Sequence, residues 1–360
     1  MNKFIIIRSR DSKMQNWIDA STFGETEFVE LKSSAIVIRK LLTKLFSPKM
    51  SCSIVFRYLN DSPSFVRSFI TLINDFLIIY FSLISRSKII WICHNLDRET
   101  KVYFPFISRF RRWLLSIAAT KIFVTDPYLL EHTKDHFKAS FLSKFDWTCF
   151  GEISSYGAHK SWGSQTDSAV KSEVERFVSH QRRMNNASRE STLIGLCLGR
   201  PGRKCLHYTL AVDLLDHAQA IGAKLALIVA VDMDKVKCKR QRAALNELRT
   251  RSNVLFYDRE IGFDEREMRP FYDFVWRILD DFSVPITLYC SATNRVPVLT
   301  IDCGFVGELV KKYRIGFVID KDWSNLGDFF VGDRKSLVSD APRFLSERGW
   351  EKGAARLFQH

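Results

Sequence analysis

The segment KIIWICHNLDRE (Lys88–Glu99) runs from a lysine through the apolar stretch Ile89–Cys93 and turns polar at His94 and Asn95. A short apolar run bounded by polar residues is the pattern of a strand buried on both faces, as in a parallel sheet covered by helices. The same pattern recurs upstream and downstream. Strand-like runs fall at Phe4–Ile7, Glu27–Leu31, Ser53–Phe56, Ile89–Cys93 and Lys121–Thr125. Between them lie helical periodicities over Ala35–Leu45, Pro63–Leu83, Phe106–Ala119 and Pro127–Phe137, with Ser62 as N-cap and Pro63 as the first helical residue of the second. Alternation of this kind predicts a doubly wound α/β domain.

From Gly151 the composition shifts to Ser and Gly, which predicts a linker followed by a polar helix near Val170–Arg183. Then the alternation resumes. TLIGLCLG, KLALIVAV, NVLFY, VPVLTI and GFVID are strand-like, and CLHYTLAVDLLDHAQAIG is helical with Gly222 closing it. GFVGELVKKY is a further helix, and APRFLSERGWEKGAARLFQ a terminal helix pair. The 360 residues exceed one ordinary core. The expectation is a first domain over 1–160, a linker and helix over 161–190, a second domain over 191–340 and a helical tail over 341–360.

The net charge of +14 predicts a surface that attracts polyanions, acidic membrane faces or phosphate-bearing small molecules. None of the eight cysteines forms a Cys-x-x-Cys pair, and no histidine stands at ligand spacing from two of them, so a reducing compartment and no zinc are expected. The apolar core of the N-terminus, Phe4–Ile7, is too short for a signal peptide. Ser68–Ser85 is long enough to cross a bilayer, yet Asn74 and Asp75 at its middle favour a helix packed on a sheet, near a membrane surface at most.

Three stretches resemble GT-B glycosyltransferases, in particular bacterial sugar-nucleotide-dependent enzymes of polysaccharide assembly. IIWICHNLDRE is similar to their strand-plus-His-Asn segment, AATKIFVTDPYLLEHTK to the next strand and helix, and VPVLTIDCGFVGELVKKYRIGFVID to the donor-domain segment in which a proline-containing strand leads to a Gly–Glu helix start. RGWEKGAARL is similar to the terminal Trp-Glu helix. The resemblance implies two Rossmann-like domains facing a cleft, the first taking acceptor and the second donor. The chain departs from the pattern in two places. Setting Pro297 on the family proline puts Phe282 and Cys290 where retaining members carry paired glutamates, and Arg8 and Arg10 stand where a Gly-rich loop usually follows the first strand. Retaining versus inverting outcome therefore stays open.

Glycosyl transfer from a nucleotide sugar needs the leaving diphosphate neutralised, the acceptor hydroxyl oriented and deprotonated, and water excluded. The GT-B type implies no metal, so cations and helix N-termini must hold the diphosphate. GRPGRK (Gly199–Lys204) follows a strand and opens a helix, which makes Arg200, Arg203 and Lys204 candidate phosphate ligands; the plain alternative is a solvated basic turn. Gly304 and Gly307 open the next candidate helix start, with Glu308 similar to the residue that bonds the donor ribose, and Ser283 and Thr287 as weaker phosphate candidates. His94 is a candidate to contact the donor sugar or shuttle a proton, with Asp97 and Glu99 as candidate bases; a buried structural histidine and solvated loop acids are the alternatives. Asp11, after the first strand, has the same standing. The basic runs SRFRRW and KVKCKRQR suit solvated helix faces, the first also an anionic membrane or a lipid-diphosphate acceptor; no nucleic-acid motif accompanies them.

The resemblance thus implies a hexosyltransferase-type enzyme, cytoplasmic or peripheral on the inner membrane face, moving sugar from a nucleotide-sugar co-substrate to a glycan or lipid-linked glycan in cell-surface polysaccharide synthesis. The alternatives are a nucleotide-sugar epimerase of the same fold and a non-enzymatic basic module that binds polyanions or membranes.

Overall fold

The structure is a computed structural model that describes residues 3–359 apart from 9, 22–25, 32, 47–50, 98, 100–101, 154–165, 184–191, 200 and 203. The chain forms two compact units. The first comprises Met1–Gly151, Phe282–Val284 and Arg348–His360, and the second Glu152–Asp281 and Pro285–Glu347.

In the first unit, strands β1 (Lys3–Ile7), β2 (Thr26–Glu30), β3 (Ser51–Arg57), β4 (Lys88–Cys93), β5 (Lys121–Val124) and β6 (Phe145–Trp147) make one parallel sheet in the order β2-β1-β3-β4-β5-β6. β3 and β4 lie inside it, and their apolar runs are buried on both faces as their composition demands. Parallel neighbours need crossovers, and right-handed crossovers fix which face each helix covers. The chain reverses direction after β2, so the helix Ser12–Asp19 lies on one face and Ser34–Leu45, Phe65–Ile84 and Pro105–Ala118 on the other. Phe65–Ile84 packs against both of its neighbours in that layer.

The second unit carries β7 (Leu193–Leu198), β8 (Leu225–Ala230), β9 (Val254–Tyr257), β10 (Phe274–Trp276), β11 (Val298–Ile301) and β12 (Gly316–Ile319), all parallel, in the order β12-β11-β10-β7-β8-β9. Renumbered from its own first strand this is 3-2-1-4-5-6, the order of dinucleotide-binding sheets. One face is covered by Leu210–Ala220, whose Leu214 and Leu215 meet Leu227, Val229 and Trp276. The other is covered by the helix Ser168–Arg183, through Val170, Val174 and Val178.

Several sequence expectations change here. The helix expected near Val170–Arg183 is part of the second unit; most of the Ser/Gly-rich linker before it lies outside the described residues. The expected 341–360 tail is divided. Ala341–Ser346 stays with the second unit, while Arg348 and the helix Trp350–Phe358 return to the first. Arg348 there forms a two-pronged ion pair with Asp126 at 2.7 and 2.9 Å, both side chains fully buried. Gly353 lets the helix touch the chain: a Cβ there would stand 2.3 Å from the Cys149 carbonyl. The helix after β3 begins at Phe65, with Ser64 rather than Ser62 accepting from a first-turn amide, that of Arg67. The expected helix over Pro127–Phe137 is a 3-10 stretch, Tyr128–His132, followed by the single turn Thr133–His136. β6 and β10 have no counterpart in the sequence reading, because three-residue strands fall below the length at which an apolar run stands out.

Candidate active site

Doubly wound sheets bind ligands beyond the carboxyl ends of their strands, where the strand order reverses. That point lies between β1 and β3 in the first unit and between β7 and β10 in the second.

In the first unit the reversal is occupied by a polar cluster. Asp11, just past β1, caps the helix Ser12–Asp19 by accepting from the Met14 amide at 2.9 Å. Its Oδ1 and Oδ2 also accept from Arg57 Nη1 and Nη2, at 2.7 and 3.2 Å. Arg57 is the last residue of β3, and its side chain is almost wholly buried. Burial alone would raise the pKa of Asp11, but the Arg57 guanidinium and the Met14 amide outweigh it and hold the carboxyl well below the usual range. Tyr58 accepts from Arg57 Nη2 at 3.2 Å and donates to Asp11 Oδ2 at 2.9 Å. It does so with φ +42°, a left-handed conformation that costs a bulky residue on the order of 1–3 kcal/mol. The ring it thereby presents stacks on His94, with centroids 4.3 Å apart and planes 9° from parallel. His94, one residue beyond β4, is buried, and its Nε2 accepts from Arg57 Nε at 3.4 Å, a bond that only a neutral ring with its proton on Nδ1 can make.

The other two candidate acids differ from each other. Asp97 is exposed. Glu99 is buried, with Oε1 bonded to Arg112 Nη1 at 2.9 Å and Oε2 accepting from the Leu59 amide at 3.3 Å. Arg112 also bonds the carbonyls of Asn95 and Leu96. Glu99 is therefore held as a strut of the loop after β4. Ser283, expected among the phosphate contacts, is buried in the first unit, bridged to Asn95, while the Leu96 amide bonds the Phe282 carbonyl at 3.1 Å.

In the second unit the reversal is occupied by an arginine that the sequence reading passes over. Arg277 follows β10, is 7% exposed, and has no carboxylate partner among the described residues. Its Nη1 lies 3.2 Å from the Leu198 carbonyl and 3.1 Å from His207 Nε2, and its Nε has no partner among the described residues. His207 is fully buried; burial first, and then the Arg277 charge, push its pKa well below the usual value and keep the ring neutral. It is an acceptor that orients the guanidinium and adds no charge. Gly199 is shaped to this contact. Its φ is +135°, and a Cβ there would stand 2.4 Å from Arg277 Nη1.

The remaining candidates belong to the second unit. Lys204 pairs with Asp281 at 2.8 Å, and the Asp281 carbonyl accepts from the Phe305 amide at 3.1 Å. Gly304 begins the helix Gly304–Tyr313 with φ +58°, where a Cβ would meet the Leu279 carbonyl at 2.3 Å; only glycine lets this helix end approach the segment after β10. Gly307 faces the Ile301 carbonyl, Glu308 is half-buried one residue on, and Thr287 is half-buried in the first turn of Ile286–Asn294. Arg200 and Arg203 lie outside the described residues. A narrow pocket lined by Leu198, Gly199, Ala230, Ile261, Phe263 and Glu265 opens beyond β7 and β8. A roomier cavity, about 700 Å³, is lined by Arg269, Asp273, Arg295, Arg334 and Lys335. It lies at the amino ends of β10 and β11, the end such sheets do not use for ligands.

Arg57 and Arg277 share a signal that sequence alone contains: SIVFR and FVWR each place an arginine at the carboxyl end of an apolar run. Such an arginine is buried by its strand and needs an anion.

Two Rossmann-like units, each with polar groups at its switch point, define the GT-B fold. Solved structures agree in fold. HepE of Anabaena, in complex with UDP-glucose, superposes with a TM-score of 0.59 at 11% identity, over 99% of this chain and 98% of that one. A glycosyltransferase of Rickettsia africae gives 0.58 at 10% identity, over 99% and 97%. Sucrose-phosphate synthase of Thermosynechococcus elongatus gives 0.55 at 14%, over 100% and 98%. No protein-family model matches the sequence, and no curated protein matches it.

Proposed function

We propose that the protein is a glycosyltransferase that moves a sugar from a nucleoside-diphosphate donor, held by the second unit, to a glycan or lipid-linked glycan acceptor. The observation that carries this reading is Arg277: a buried cation without a counter-ion among the described residues, fitted against Gly199 at the switch point of a nucleotide-type sheet. Burying a charge is costly unless an anion meets it, and a diphosphate is the anion this position suits. Lys204 and the amide end of Gly304–Tyr313 are the second unit's further candidates to share the load. As the glycosidic bond to the diphosphate breaks, negative charge grows on the leaving oxygen, and these groups stabilise it. They supply the charge a divalent cation would otherwise supply, so transfer is expected to persist in a chelator. In the first unit, Asp11, Arg57 and Tyr58 fix the His94 ring. Its Nε2 lone pair is engaged by Arg57, so the ring serves to contact and orient the reacting groups. HepE, bound to UDP-glucose, makes a uridine diphosphate sugar the first donor to try.

The test is a thermal-shift series with UDP, GDP, ADP, CMP and TDP at fixed salt, followed by transfer assays with the nucleotide that binds. Selective stabilisation by one nucleotide supports the donor site. Equal response to every phosphate compound, with no transfer, would favour the basic polyanion-binding reading. Conversion of the nucleotide sugar alone to its epimer would favour the epimerase.

A further inference from the structure

The helix Phe65–Ile84 is inside out. A helix covering a sheet normally turns its apolar stripe inward. Here the buried face carries Ser68, Asp75 and Ser82 beside Ile78 and Ile79. Phe65, Phe69, Ile73, Phe76, Tyr80 and Leu83, spaced by three and four residues along one stripe, are 43–57% exposed. The orientation is locked. Asp75 is ion-paired with Arg8 and with Arg111, the latter at 2.8 Å, and Arg111 Nη1 also bonds the carbonyls of Leu59 and Asn60. Rotating the stripe inward would break these bonds and expose three charges' worth of matched pairing.

The neighbouring helices continue the surface. Phe106, Phe110, Trp113 and Ile117 form an exposed stripe on Pro105–Ala118, and Ile36, Leu42 and Leu45 are exposed on Ser34–Leu45. Among the described residues, all but two of the exposed large apolar side chains, Ile221 and Val331, lie on or directly beside this layer of three helices. The only acid in the three helices is Asp75, which is buried; Arg39, Arg67 and Arg109 are exposed, and none makes an ion pair among the described residues.

We infer that this layer is a docking face for an anionic lipid surface, lying in the interface without crossing it. The inference goes beyond glycosyl transfer and does not depend on it. A broad apolar face with aromatic side chains, fringed by unpaired arginines and empty of exposed acids, matches acyl chains below and acidic headgroups above. A second copy of the chain matches it less well, since a self-complementary contact would bring arginines together with no acid to meet them. Although Phe65–Ile84 is long and apolar enough to span a bilayer, its Asp75 ties bind it to the first unit.

The test is co-sedimentation of the full chain with phosphatidylcholine vesicles, with and without phosphatidylglycerol. Binding is expected with the anionic vesicles and is expected to weaken in high salt. Arg67→Gln with Arg109→Gln should weaken it roughly thirtyfold, and Phe76→Glu with Trp113→Glu should abolish it, with the melting temperature unchanged or raised in both variants. Failure of the native chain to bind anionic vesicles, or binding by Phe76→Glu/Trp113→Glu equal to the native chain's, would overturn the inference. So would a dimer in the absence of lipid that Phe76→Glu disperses, because the face would then belong to a second copy.

Discussion

Replacing Arg277 with methionine should make the ligand-free protein more stable and nearly blind to its nucleotide. Methionine keeps an unbranched stem but removes the charge. Desolvating an unpaired guanidinium costs several kcal/mol. Its bonds to Leu198 and His207 return about 1.5–3 kcal/mol each at best, and the Leu198 carbonyl is only half-buried, so water can replace one of them. The balance favours methionine by about 1–2 kcal/mol, a rise of roughly 2–8 °C in melting temperature. Nucleotide binding moves the other way. Loss of charge-assisted bonds to a diphosphate costs about 3 kcal/mol, or roughly a hundredfold in Kd. At a nucleotide concentration near a hundred times the native Kd, the native protein gains about 2.7 kcal/mol of apparent stability, whereas the variant gains about 0.4. A melting series with and without nucleotide reads both effects on one sample. A variant that melts lower without ligand and keeps the full nucleotide shift would refute the reasoning, because Arg277 would then be a structural residue satisfied by its two protein acceptors.

The Asp11 carboxyl has its pKa depressed on folding, so its contribution to stability is present above the unfolded value and disappears as pH falls through the folded one. The stability difference between native protein and Asp11→Asn is therefore expected to be largest near neutral pH and to shrink below about pH 4, as measured by denaturant melts across that range. Arg348→Met removes the buried two-pronged ion pair to Asp126 and should destabilise the first unit by about 3–5 kcal/mol; Arg348→Met with Asp126→Leu should recover most of that loss in the same melts. Cys238 is exposed, whereas burial pushes the Cys93 thiol up to about 12 and the Cys149 thiol up to about 11. Iodoacetamide should accordingly label Cys238 first in the folded protein, with peptide mass spectrometry showing Cys93 and Cys149 protected until denaturant is added.

Much of the fold was legible because strand burial is written in short apolar runs. Ten of the twelve strands among the described residues fall on such runs. The two that do not, β6 and β10, are three residues long, and β10 leads directly into Arg277. Part of the candidate site was legible for a similar reason: Gly304 announces itself as a helix start, and Gly199 and His94 as strand ends, whereas Lys204, expected to open a helix, lies in a turn before the helix Leu210–Ala220. What stayed hidden depends on pairing across long sequence distance. Nothing local separates Asp97 from Glu99, yet Glu99 is claimed by Arg112 and the Leu59 amide while Asp97 stays exposed. Nothing local says that Phe65–Ile84 turns its apolar stripe outward; that follows from Asp75 meeting Arg111, 36 residues away.

The two strand-end arginines show how this difference bears on function. Arg57 and Arg277 arise from the same local pattern and lie at equivalent switch points of the two sheets. Arg57 meets Asp11 from the neighbouring strand end, so the first unit's cluster is electrically closed and serves to hold the Tyr58 and His94 rings. At the corresponding place the second unit offers Arg277 a neutral histidine and a carbonyl. A protein anion there would stabilise the ligand-free fold and block the site; among the described residues none pairs with Arg277, which leaves a charge that a bound anion would match. On the proposed function, diphosphate binding would fall to the second unit and orientation of the reacting groups to the first; the asymmetry predicts that Arg57→Met, unlike Arg277→Met, destabilises the ligand-free protein, because it removes the buried charge paired with Asp11.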